Sequence, residues 1–357
     1  MKKLFRVVFF LAWLMEGHLF AGLLNWSAAN DMSSPRASHT AALLMDGRVL
    51  VAGGWIGFGY SATSDLYDPK SGLWNQTGSL GEGRMLHTAT RLADGRVLVV
   101  GGWDNKALKS CELYDPASGI WTATGDLSTS RYTHTATLLP DGRVLVAGGV
   151  SHSPNFPIDS AELYDPVTGM WTTTGSLKHA RSSHVAVLLK GGKVLVAGGG
   201  NASAELYNPT TGTWKLTGSM AEARSEFTAT RLGNGQVLVA GGQGTPSGVI
   251  KSSELYDPMT GTWTSTGSLV NRRLSHAATL LRNGTVLVTG GQIGNAGTET
   301  SSTEIYDPRT GLWTLDNPML NGRDSHTATL LQDGSVLVTG GVDPDQRAIQ
   351  ATELGSR

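Results

Sequence analysis

A Gly-Gly pair recurs seven times along the 357-residue chain, at Gly53, Gly101, Gly148, Gly198, Gly241, Gly290 and Gly340, in steps of 43 to 50 residues. A chain written as one unit repeated at that period has to stack its copies, because no single copy buries its own apolar face. The third copy, Arg131 to Gly175, reads RYTHTATLLPDGRVLVAGGVSHSPNFPIDSAELYDPVTGMWTTTG. Thr133–Leu139 and Arg143–Gly148 are short β-branched and aliphatic runs joined at Asp141-Gly142, a dipeptide that supplies the positive φ values of a tight hairpin. Asp46-Gly47, Asp94-Gly95, Asn234-Gly235, Asn283-Gly284 and Asp333-Gly334 occupy the same place elsewhere, and one copy uses Gly191-Gly192. A second hairpin joins Ala161–Tyr164 to Met170–Thr173 across Asp165-Pro166-Val167-Thr168-Gly169, where Pro sets φ and Gly takes the left-handed position. Each unit is therefore expected to be a four-stranded antiparallel sheet.

Radial stacking of four-stranded units of about 50 residues is the propeller solution to burying such sheets. The ends set the blade number. After the last Gly-Gly the chain stops at Glu353-Leu354-Gly355-Ser356-Arg357 without the Trp that marks every other fourth strand, and that Trp stands at the opposite end as Trp26. Leu23–Ala28 should thus be the fourth strand of the blade whose first three lie in Ser325–Leu354. The expectation is an all-β, seven-bladed propeller over residues 22–357, closed three plus one by the N-terminal strand. Paired Gly after strand two, Tyr before the second turn and Trp six or seven residues later resemble the kelch signature, and the short, sharply repeated copies resemble bacterial secreted kelch proteins.

Upstream, Met1-Lys2-Lys3 precedes an almost wholly apolar Leu4–Met15 and a small Ala21. This is signal-peptide grammar, too short to span a bilayer, and 1–21 is the expected leader. The chain is accordingly expected to be secreted, periplasmic or at the cell surface, with no membrane insertion after cleavage. Cleavage after Ala29 would discard the closing strand and leave a sheet edge open. With Cys111 as the only cysteine, an intramolecular disulfide is impossible, and at this size a core alone suffices. A net charge of −1 with no basic run beyond the N-terminus removes the electrostatic footprint of a nucleic-acid partner. A monomer is expected.

Two polar patterns recur. Arg36, Arg84, Arg131, Arg181, Arg224, Arg273 and Arg323 each open a blade, and Asp65, Glu112, Glu162, Glu205, Glu254, Glu304 and Glu353 recur at strand three. Seven arginines against seven carboxylates suggest partly buried bidentate pairs, within or between blades, that set register. Were the arginines open, they would suit an anionic ligand, as equivalents do in some kelch domains that hold acidic peptides. A histidine follows three residues after six of these arginines, at His39, His87, His134, His184, His276 and His326, with Phe227 in the odd copy. Placed one per blade they read as hydrogen-bonded structural residues rather than ligands of one ion. His152 and His179 fall outside the repeat, so a metal shared by them is conceivable. The resemblance extends to the kelch propeller of galactose oxidase, whose copper site uses two Tyr, two His and a Cys cross-linked to one Tyr. Here Cys111 takes the register of Ala161 and Ala204, and its nearest Tyr, Tyr114, belongs to the repeat, so the match to that site fails residue by residue. No cofactor or metal is expected.

The face carrying turns one-two and three-four is uniform, whereas loops two-three vary, and a specific site must break the sevenfold symmetry. The ligand-binding candidates are Trp55, Phe58, Tyr60, Trp103, Asp104, His152, Phe156, Gln243, Gln292 and Asp343. Their aromatics suit stacking on a sugar or anchoring a protein. The leading expectation is a noncatalytic binding or adhesion module for a glycan or extracellular protein. The alternatives are a carbohydrate-active enzyme of kelch architecture (epimerase, oxidase or hydrolase), with Asp104 paired with His152 or Asp343 as acid and base, and a structural cell-envelope component.

Overall fold

A computed structural model describes residues 23–151, 156–294 and 298–357, so the leader expected over 1–21 lies outside the described residues. The described residues form seven four-stranded antiparallel sheets. Blade 1 comprises Thr40–Leu43, Val49–Ala52, Ser64–Asp68 and Leu73–Gln76, and blade 2 Thr88–Arg91, Val97–Val100, Cys111–Asp115 and Ile120–Ala123. Blades 3, 4, 5 and 6 repeat the pattern from Thr135, Val185, Thr228 and Ala277. Strand one of each blade lies against strand one of both neighbours, which closes the ring around an axis. Blade 7 takes Thr327–Leu330, Val336–Thr339 and Thr352–Ser356 from the C-terminus and Asn25–Ala28 from the N-terminus, with Trp26 opposite Gly355. In the other six blades a Tyr stands opposite the Trp at 5.0–5.1 Å between ring centroids. Gly355 replaces it because a Cβ there would meet the Trp26 ring at 2.9 Å.

Strand two is buried along its whole length in every blade, as in Val144–Ala147, since neighbouring blades cover both its faces. The first hairpin differs from the two-residue turn expected of Asp-Gly. Leu44 N–H donates to the Arg48 carbonyl and Gly47 N–H to the Leu44 carbonyl, so three residues form the loop. Only the Gly takes a positive φ (+92° at Gly47), the arrangement of a type I turn ending in a glycine bulge. Asp46 stays on the ordinary side of φ because its carboxylate is used locally, accepting from Arg48 N–H at 3.0 Å.

Around the axis three rings of hydrogen bonds tie blade to blade. The second Gly of each pair donates its N–H to the carbonyl of the next blade's recurring arginine, as Gly102 does to Arg131 at 2.9 Å. A Cβ on the first Gly would sit 2.3–2.7 Å from that same carbonyl, so the Gly-Gly signature is the imprint of this close approach. The second ring is purely backbone. Ser38, Leu86, Thr133, Ser183, Glu226, Ser275 and Ser325 all adopt φ near +50°, and each N–H donates to the carbonyl of its counterpart one blade back, Ser38 to Ser325 completing the circle at 2.9 Å. Six hydrogen bonds from the histidines make the third.

Candidate functional site

The seven arginines are wholly buried, and each pairs with the strand-three carboxylate of its own blade at 2.6–3.0 Å. The pairs are not bidentate. Arg131 gives Nη2 to Glu162 Oε1 (2.9 Å) and Ser160 Oγ (3.0 Å), while Nη1 donates to the carbonyls of Gly148 (2.8 Å) and Ser160 (3.0 Å). Glu162 Oε2 accepts Ser128 N–H from the linker arriving from blade 2. The guanidinium thus pins loop two-three while the carboxylate pins the linker, and the two buried charges are matched. Asp65, one methylene shorter than its six counterparts, is supplemented by the Ser33 hydroxyl at 2.8 Å. Burial pulls each guanidinium below its ordinary value and the carboxylate opposes it. None of the seven is open to a ligand.

Each recurring histidine presents Nε2 to a threonine of the preceding blade: His87 to Thr40 (2.9 Å), His134 to Thr88 (3.0 Å), His184 to Thr135 (3.0 Å), His276 to Thr228 (2.9 Å), His326 to Thr289 (2.9 Å) and His39 to Thr339 (3.0 Å). Burial, then the adjacent arginine charge, holds His87 and His184 down to about 3 and pushes His134 well below its ordinary value, so the rings are neutral. These rings, Phe227 and the seven left-handed residues line an open axial cavity of about 350 Å³. His179, half exposed, has Nδ1 3.8 Å from Glu205, and His152 lies outside the described residues.

At the loop face the ring is bipolar. On blades 1 to 3, Trp55 bridges to Ala37 and Tyr60, and Trp103 Nε1 donates to Tyr60 Oη at 3.2 Å. The Trp103 ring meets Tyr132 edge-on with centroids 4.9 Å apart. Three half-buried aromatics from three blades thus form one edge. Phe58 (92 % exposed) and Phe156 (68 % exposed) stand apart at loop tips. Asp104 accepts from Asn105 Nδ2 at 3.2 Å.

On blades 5 to 7 the face is polar. Gln243 lies in a short extra sheet with Arg224–Ser225 and Gly248–Val249. Gln292 Nε2 approaches Glu299 Oε1 at 3.4 Å, and Gln346 Nε2 reaches the same oxygen at 2.8 Å from blade 7. Beside them sits Asp324, 3 % exposed, whose Oδ1 has no hydrogen-bond partner. Burial, and after it the negative charge of Glu299, push its carboxyl up to about 6. Glu226 lines the axial cavity and accepts from Ser275 Oγ at 2.8 Å. Asp343 is clamped by Arg347 at 3.0 Å and by two backbone N–H groups of its own loop, which hold its carboxyl below the usual range. Asp343 is thus held ionised within its own loop, and the carboxyl suited to hold a proton near neutrality is Asp324. Its signal lay one residue after the recurring arginine, where the other copies carry Ala37, Met85, Tyr132, Ser182, Ser225 and Leu274.

The chain belongs to the kelch-repeat family. The KLHDC2/KLHL20/DRC7 Kelch-repeats domain matches residues 133–341, and a Kelch motif matches 87–128. No curated protein matches it. A solved structure of a novel fungal alcohol oxidase of the AA5 family, in complex with copper, superposes with a TM-score of 0.80 at 19 % identity over 94 % of this chain and 76 % of that one, a likeness of fold. The residues here do not fit copper. Among the described residues no three His, Cys, Asp or Glu side chains are placed to hold a metal ion. Cys111 is buried in the blade 2–3 core with its thiol pushed by that burial up to about 12, and the neighbouring Tyr114 hydroxyl is hydrogen-bonded to Thr77 at 2.8 Å.

Proposed function

We propose that the chain is a noncatalytic, secreted binding module whose loop face takes a glycan at the axial cavity. The observation that carries this reading is the bipolar mouth. An edge of Tyr60, Trp103 and Tyr132 stands on blades 1 to 3 and the carboxyl and amide groups of Gln292, Glu299 and Asp324 on blades 6 and 7, while Glu226 lines an axial cavity of about 350 Å³. Sugars present an apolar C–H face and a rim of hydroxyls, and aromatic rings with nearby carboxyl and amide oxygens match the two together. The cavity has room for about one sugar ring. Secretion is proposed from the apolar Leu4–Met15 segment behind Lys2 and Lys3.

A glycan array with the mature chain tests the reading. A defined saccharide class should be retained, and Trp103→Ala should weaken its binding at least tenfold with little change in melting temperature. Retention unaffected by Trp103→Ala would remove the aromatic edge from the site. The raised carboxyl of Asp324 favours one second reading, a carbohydrate-active enzyme with Asp324 as proton donor. Chemical turnover of the retained saccharide, lost in Asp324→Asn, would replace the first reading with the second.

A further inference from the structure

We propose that the ligand is cationic: a glycan bearing free amino groups, one ammonium of which sits among Glu226, Glu299 and Asp324 while a neighbouring ring lies on the Trp103–Tyr132 edge. The inference rests on the glycan reading and adds the ligand's charge. Positive charge around the axis is already committed. All seven recurring arginines are held in buried pairs and Arg347 is held by Asp343 and Asp345. The histidines that floor the cavity are neutral. Among the residues that line the cavity there is no lysine or arginine, so an anionic ligand would meet no cation in it.

Negative charge and acceptor capacity are in surplus. Glu299, 8 % exposed, accepts two amide donors on Oε1 and has none on Oε2, and Asp324 has none on Oδ1. Two nearly buried carboxyl groups with an oxygen each lacking a donor are costly, and the cost grows with the like charge of Glu226 nearby. An ammonium supplies three donors and a compensating charge, and its positive field also suits the face of an indole or phenol ring.

The groups facing Asp324 also set the pH response. Burial, and after it Glu299 and Glu226, raise its proton affinity, whereas hydrogen bonds from Gln292 and Ser325 lower it, leaving it at about 6. Affinity for an amino glycan should climb as pH rises through 6, where Asp324 gains its charge, and fall again where the ligand amine loses its proton.

Calorimetry of the mature chain with a glucosamine tetramer, an N-acetylglucosamine tetramer, a glucose tetramer and a lysine tetrapeptide tests this. The glucosamine tetramer should bind at least about tenfold more tightly than the other three, with a bell-shaped pH profile. Asp324→Asn and, independently, Glu226→Gln should each weaken it about tenfold while weakening the acetylated tetramer much less. The Glu226 variant keeps the test open if the buried Asp324 change disturbs folding. Equal affinity for charged and acetylated tetramers would overturn the charge while sparing the glycan reading. Binding of the lysine peptide alone would overturn both, and binding of none of the four would overturn the cationic ligand while leaving the glycan reading to the array.

Discussion

Six of the seven blade interfaces join a histidine to a threonine across the gap, while the interface between blades 4 and 5 joins Phe227 to Val185 in one apolar cluster. Blades 1, 2, 3, 5 and 7 open strand one with threonine, and Val185 is the only valine in that place. Ring nitrogen and hydroxyl have therefore been lost together. Removing one partner of a buried hydrogen bond leaves the other unsatisfied, whereas replacing both with apolar groups of similar shape is nearly neutral. The interface between blades 6 and 7 obeys the same rule by another route: strand one begins with Ala277, and His326 turns to Thr289 on strand two.

Both kinds of interface keep the arginine pair, as Arg224–Glu254 at 2.9 Å shows beside Phe227. The largest effect should come from breaking that common part. Arg131→Ala and Arg224→Ala are each expected to lose about 3–5 kcal/mol in denaturant unfolding, because a buried carboxylate is left uncompensated. A small loss at Arg224 alone would make the apolar interface self-sufficient and sharpen the contrast.

Next in size, His134→Phe should lose about 1–3 kcal/mol by stranding Thr88 Oγ1, and adding Thr88→Val should recover most of it. A double variant no better than the single would break the interchange. In the reverse direction Phe227→His should destabilise, and Val185→Thr should rescue it.

Acid should separate the two interfaces as well. The folded-state values of the histidines are depressed, so below about pH 6.5 the unfolded chain takes up protons that the native chain refuses. Stability is fully present above pH 6.5 and is lost as pH falls toward about 3. Melts at pH 7 and pH 5 should show this loss, and the His134→Phe, Thr88→Val double variant should lessen its slope by about 1.4 kcal/mol per pH unit. The smallest effect is expected at the turns, where Gly142→Ala places a Cβ at φ +87° in open space and should cost about 1 kcal/mol.

The blade count, the closing strand and the Gly-Gly pairs were legible because each rests on a residue whose chemistry has one local use: Trp26 as the missing indole, Gly53 as the absent Cβ. The Asp46-Gly47 turn was legible in place but not in type, since both hairpin forms accept that dipeptide. The left-handed belt left no trace at all. Its positions hold Ser, Leu, Thr and Glu, and their strain is offset by bonds to other blades rather than by side-chain choice. The aromatic edge was half visible: Tyr60 and Trp103 stood in variable loops, whereas Tyr132 sat inside the repeat. Asp324 and Glu226 escaped for the same reason, as symmetry breaks in the lead into strand one as well as in the loops.

The belt of seven backbone bonds also shapes the field at the mouth. Around a helix axis, peptide dipoles point one way and sum to a pole at each end. In the belt each N–H points to the carbonyl one blade back, so the dipoles run tangentially and cancel around the circle. The backbone encircles the cavity without lending it a sign, and the polarity a ligand meets there is written by side chains such as Glu226 alone.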